Sequence, residues 1–125
     1  MIKAADLMIG NYVNEYILGD VCVNEIYENS VSVLAKHMDI NKVVSDIAYT
    51  ISCSNLIGIP LTPDVLERID WNGYNKLYLN SYFKIDDVGH LYYCSDFTGI
   101  NIYYVHQLQN LCKALTGKDL TFKTT

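Results

Sequence analysis

Three histidines, four cysteines and fourteen carboxylates are the side chains of this sequence best suited to chemistry. His90 and Cys94 have the H-x-x-x-C look of a metal pair, and zinc takes such ligands. Tyr92-Tyr93 between turn residues favours a strand there. Four strand residues span about 13 Å, too far for two ligands whose bonds to one zinc are about 2 Å. A site assembled in space from His37, His90 and scattered cysteines stays as the alternative. Asp86-Asp87 reads as a hairpin turn, where aspartate bonds its own backbone. Asp64, Glu67 and Asp70 lie on a short predicted helix. Asp64 and Glu67 share a face of the kind two-metal nucleases use, set against the plainer reading of acids at a helix N-terminus and on a solvated face. No P-loop, G-x-S-x-G or H-E-x-x-H occurs, and the pattern implies no metal and no cofactor.

The last predicted helix carries the most unusual group. At about 100° per residue, Val105, Leu108, Leu111, Cys112 and Leu115 fall within about 120° and form one apolar stripe. Opposite it, His106, Gln109, Asn110 and Lys113 gather within about 100°, with Gln107 at the edge. None is acidic, whereas a solvated face more often mixes Glu with Lys. Amide side chains both donate and accept, so His106, Gln107, Gln109, Asn110 and Lys113 form the candidate binding face. Its target is a peptide backbone, a base edge or the protein's own sheet. In the competing structural reading, these residues knit the helix to nearby loops and strands. His106 as a general base lacks a nucleophile or carboxylate nearby in sequence.

These groups sit on elements that the hydrophobic pattern outlines. No period of roughly 20–50 residues repeats. Asn11–Leu18, Val21–Tyr27 and Val31–Ala35 read as short strands, with turns at Gly19-Asp20 and Glu28-Asn29-Ser30, and Val21, Val23 and Tyr27 on one face. That pattern predicts an antiparallel meander, with closure into a small SH3-like barrel as an option. In residues 37–58, a helical turn over Asp39–Ser45 and a strand over Ala48–Cys53 are predicted. Thr62-Pro63-Asp64 starts a short helix to about Ile69, with Val65, Leu66 and Ile69 inward and Asn72-Gly73 as its break. Strands follow over Leu77–Ile85, His90–Cys94 and Ile100–Tyr104, with turns at Asp86–Gly89 and Asp96–Gly99. The helix Val105–Leu115 then stops at Gly117, and Leu120–Lys123 returns as a strand. The predicted class is α+β: a meander, a short helix, an antiparallel sheet and a C-terminal amphipathic helix.

The chain has 125 residues, half of them hydrophobic, 18% charged and two proline, which is the composition of a globular domain. One domain over 1–125 is expected, with possible sub-units at 1–58 and 59–125. A net charge of −5 argues against affinity drawn from duplex phosphates. No apolar run approaches the roughly 20 residues of a membrane helix. The opening Met-Ile-Lys-Ala-Ala-Asp lacks a secretory pattern, so a cytosolic protein is expected, with Cys22, Cys53, Cys94 and Cys112 as reduced, mostly buried thiols. Eleven tyrosines fit an interface or a core better than a stacking platform, which normally lies in a basic groove.

Three motifs occur in order along the chain. They are Ile9-Gly10-Asn11-Tyr12-Val13, Gly58-Ile59-Pro60-Leu61-Thr62, and Tyr104-Val105-His106-Gln107-Leu108-Gln109-Asn110-Leu111 followed by Ala114-Leu115-Thr116-Gly117. Together they resemble a family of small uncharacterised proteins of phages and prophages of gut bacteria. Met8 stands where that family tends to have arginine, and Cys112-Lys113 where it has an aromatic pair. The resemblance implies a phage origin and the cytosol of a bacterial host, and it brings no activity with it. A non-enzymatic accessory protein that binds a host or phage protein, or itself, is therefore the first expectation. Binding of single-stranded nucleic acid or a nucleotide is the second, and a small metal-dependent hydrolase or nuclease the third. No membrane association is expected.

Overall fold

Valine alternation builds the first half of the chain. In the computed structural model, which describes residues 2–38, 40–62, 64–65, 68–70, 82–86, 89–94 and 96–122, the chain divides into two compact units, Met1–Ile59 and Pro60–Thr125. The first unit contains strands β1 (Tyr12–Glu15), β2 (Gly19–Ile26), β3 (Ser30–Met38), β4 (Val44–Ser52) and β5 (Leu56–Ile57). They form one antiparallel sheet in the order β4-β3-β2-β1-β5. Val13, Val21, Val23, Val31 and Val33 alternate onto one face and are at most 1% exposed. They pack with Ile2, Leu7, Ala35, Cys53 and Leu56 into the core of this unit. β-branched residues suit that half-buried pleated face. The sheet is open and not a closed barrel: β5 pairs β1 over two residues, and among the described residues nothing joins it to β4.

Local chemistry moves several predicted boundaries. The first turn is Tyr16-Ile17-Leu18 rather than Gly19-Asp20. Glu15 Oε2 accepts from the N–H groups of Ile17 (2.9 Å) and Leu18 (2.6 Å), and Gly19, at φ +80°, supplies the left-handed residue that closes a three-residue hairpin loop. Asp20 then lies within the ladder, where Asn14 Nδ2 donates to its Oδ1 at 2.9 Å. A bulge between Val23 and Glu25 shifts the β2–β3 register. The alternation slips there, so Tyr27 does not join Val21 and Val23 inside and is 47% exposed. The helical turn predicted over Asp39–Ser45 gives way to a long β3–β4 hairpin, with a turn at Ile40–Asn41 and Val44 and Ser45 already in the strand. Asp39 itself lies outside the described residues. One isolated helical turn is poorly nucleated, and nine consecutive ladder pairs outcompete it.

In the second unit Thr62 Oγ1 accepts from Val65 N at 3.3 Å, as an N-cap does. The helix does not reach Ile69, because β6 (Ile69–Asp70) pairs antiparallel with β10 (Thr121–Phe122). Pro63, Leu66, Glu67 and Asn72-Gly73 lie outside the described residues, as do residues 77–81 of the predicted Leu77–Ile85 strand. The three-stranded sheet runs β7 (Phe83–Ile85), β8 (His90–Tyr93) and β9 (Asp96–Asn101). Asp96–Gly99 is thus strand and not turn. Cys94, at φ +56°, makes the reversal one step earlier, and Tyr93 pairs with Asp96. The helix Val105–Thr116 ends at Gly117, φ +72°, whose N–H donates to Lys113 O at 2.9 Å. Val105, Leu108 and Cys112 are buried, with Leu111 and Leu115 half-buried. Among the described residues no helix is long and apolar enough to cross a membrane.

Candidate functional site

The predicted amide face of the C-terminal helix does not form one solvent-facing surface. His106 is 4% exposed and Gln109 7%, which corrects the expectation that both point outward. Tyr104 stacks on the His106 ring, with centroids 5.8 Å apart and planes 11° from parallel. Gln109 Nε2 donates to the Leu120 carbonyl at 3.3 Å, tying the helix to the residue before β10. Gln107 Oε1 accepts from the N–H groups of Tyr103 (2.9 Å) and Tyr104 (3.2 Å), so it closes the helix start, where Tyr104 offers no short polar cap. Lys113 Nζ reaches Asp119 Oδ1 at 3.2 Å in an exposed ion pair, and Asn110 is half-buried. The helix buries a wider arc than its leucines mark, and its amides satisfy backbone that the turn and β10 leave open. Gln109→Ala is accordingly expected to destabilise the protein by about 1–3 kcal/mol, since it strands a buried carbonyl. Urea unfolding checks this, and an unchanged midpoint would contradict the structural role.

The outer face of the three-stranded sheet brings together a different set of side chains. Register sets Lys84 opposite Tyr92 and Tyr92 opposite Phe97. Ile85 and Leu91, on the other face by alternation, are 1% and 2% exposed. Lys84, Asp86, His90, Tyr92 and Phe97 therefore share the face turned away from those two residues. Asp86 organises it. Its Oδ1 accepts from His90 N at 2.8 Å, its Oδ2 lies 3.0 Å from His90 Nδ1, and Tyr92 OH donates to Oδ2 at 3.2 Å. Partial burial, then the hydrogen bond to Asp86 and that carboxylate's charge, hold the Tyr92 phenol above its ordinary pKa. Lys84 Nζ stands 5.6 Å from the Tyr92 ring centroid. Phe97 packs edge-on to His90 (5.2 Å) and tilted to Tyr92 (5.8 Å), yet remains 52% exposed.

An aspartate that fixes a histidine through Nδ1 is half of a general-base arrangement. Among the described residues no Ser, Thr or Cys side chain hydrogen-bonds His90. The face holds two rings, an imidazole, a cation and a carboxylate side by side. The sequence signal for it was the i, i+2 spacing of Lys84 with Asp86 and His90 with Tyr92, which puts each pair on one side of its strand. Phe97 joins them only through the β8–β9 register.

The other predicted chemistry does not converge. Among the described residues no three His, Cys, Asp or Glu side chains are placed to hold an ion. Asp64 is exposed, and Glu67 and Asp87 lie outside the described residues. The four cysteines are free: Cys53 and Cys112 are buried, Cys22 is half-buried, and Cys94 is exposed at its turn. Burial pushes the Cys22 and Cys53 thiols up. Comparisons with protein-family models, curated proteins and solved structures find no match to this chain.

Proposed function

We propose that this chain is a non-enzymatic phage accessory protein that binds another protein, of host or phage origin, in the bacterial cytosol. The observation that carries the reading is Phe97, half exposed on a β-strand and braced by His90 and Tyr92. A rigid, part-solvated aromatic ringed by hydrogen-bonding side chains is the composition of an interface hot spot. Exposed Tyr93, Tyr103 and Ile100 on the same unit extend the supply of interface residues. The phage setting rests on the resemblance of the three sequence motifs. A second reading, single-stranded nucleic acid, is favoured by the Lys84 ammonium beside the Tyr92 ring, as in stacking platforms. The charge of −5 and the carboxylate of Asp86 weigh against it.

One capture experiment decides between them. Tagged wild type and Phe97→Asp are incubated with host lysate, with and without nuclease, and bound partner is quantified. A protein partner is expected to survive nuclease and to fall about tenfold or more with Phe97→Asp. Loss on nuclease treatment would transfer the case to nucleic acid. Equal recovery by both proteins would remove Phe97 from any interface.

A further inference from the structure

β4 runs nine residues, and β3 is the one described strand beside it. Their register continues without a shift from Ser30↔Ser52 to Met38↔Val44, so no bulge turns the edge away. β4 has no proline or glycine, and Lys36 Nζ holds its single charge, Asp46, at 2.8 Å. Sheets blunt exposed edges with short strands, lysines, prolines or bulges, and β4 has none of these. Val44, Ile47, Tyr49, Thr50 and Ile51 are types that pair well in strands. Apart from half-buried Ile47 and Ile51, its side chains are exposed.

The hydrogen-bonding phase of this edge follows from one bond. Cys53 N donates to Asn29 O at 3.0 Å, so odd-numbered residues of β4 bond to β3. The N–H and C=O groups of Val44, Asp46, Ala48, Thr50 and Ser52 then point to the open side. We propose that β4 pairs antiparallel with β4 of a second copy of this chain, about a two-fold axis at Ala48. Ala48 is the middle of the strand, so this register alone pairs its whole length: Val44 with Ser52, Asp46 with Thr50, Ala48 with its own copy. Each of these residues has outward backbone groups, and each opposing pair exchanges two hydrogen bonds. No like charges meet, and Ile47 falls opposite Tyr49, a β-branched–aromatic pair made twice. The other edge of the sheet, β5, is two residues long, too short to receive β4. Association therefore closes as a pair instead of growing into an array.

Sedimentation equilibrium tests this directly, with an expected mass twice the 14.2 kDa of the chain. Ala48→Pro removes an N–H that points away from β3, which an edge strand tolerates. Ala48→Lys sets like charges against each other on the axis. Each is expected to raise the dimer dissociation constant at least about 100-fold while far-UV dichroism stays unchanged. If Ala48→Pro fails to fold, Ala48→Lys decides, because Ala48 is exposed in the single chain. A single-chain mass for wild type up to hundreds of micromolar, or a dimer indifferent to Ala48→Lys, overturns the proposal. β4 belongs to the first unit and Phe97 to the second, so the mass measurement and the capture measurement fail independently.

Discussion

Gly89→Ala is expected to destabilise the second unit by about 3–5 kcal/mol. Gly89 sits at φ +91°, and a Cβ built there lies 1.9 Å from the backbone carbonyl oxygen of Ile102. No side-chain adjustment relieves that overlap, because the opposing atom is main chain. The two residues must separate, and the bond from Ile102 N to Gly89 O, 2.7 Å long, goes with them. Backbone strain for a non-glycine residue at such a φ adds about 1–3 kcal/mol. Gly117→Ala is the internal control. Its φ is +72°, but nothing lies within 4 Å of the added Cβ, so about 1 kcal/mol of left-handed strain is all it incurs. Urea denaturation of both variants reads the difference. Equal losses would mean that Gly89 and Ile102 do not approach as described.

Leu108→Ala has the next largest expected effect, about 2–5 kcal/mol. Leu108 is 1% exposed, on the helix face shared with Val105 and Cys112. The truncation removes buried methyl groups and leaves a cavity that the surrounding helix and strands fill only in part. Lys113→Ala on the opposite face gives the contrast: an exposed ion pair to Asp119 contributes at most about 1 kcal/mol. Thermal unfolding, with binding measured on whatever remains folded, separates the helix as scaffold from the helix as recognition surface. A Leu108→Ala melting point within a degree of wild type would mean that the apolar stripe is not packed.

In two places partners distant in sequence override the local pattern. Helix periodicity alone would place His106 and Gln109 outward, because a polar side chain on an amphipathic helix is usually solvated. Gln109 instead donates to the Leu120 carbonyl and the His106 ring stacks on Tyr104, and neither contact follows from helix periodicity. Aspartate and glycine punctuate chains, so composition alone reads Asp96–Gly99 as a turn. The reversal at Cys94 places them in β9 instead, and so brings Phe97 beside His90 and Tyr92.

Local rules did settle a good deal. Valines at alternate positions specify which side of β2 and β3 is buried, because a strand's side-chain period is two. Leucines at helical spacing followed by Gly117 specify the last helix and its end, because glycine reaches positive φ cheaply. Both outcomes depend only on near neighbours along the chain. Tertiary structure alone decided which strands lie side by side, in what register, and hence that Lys84, Asp86, His90, Tyr92 and Phe97 share one face while β4 has β3 as its one neighbour among the described strands. Register depends on loop closure and packing between residues distant in sequence, and no local propensity encodes that.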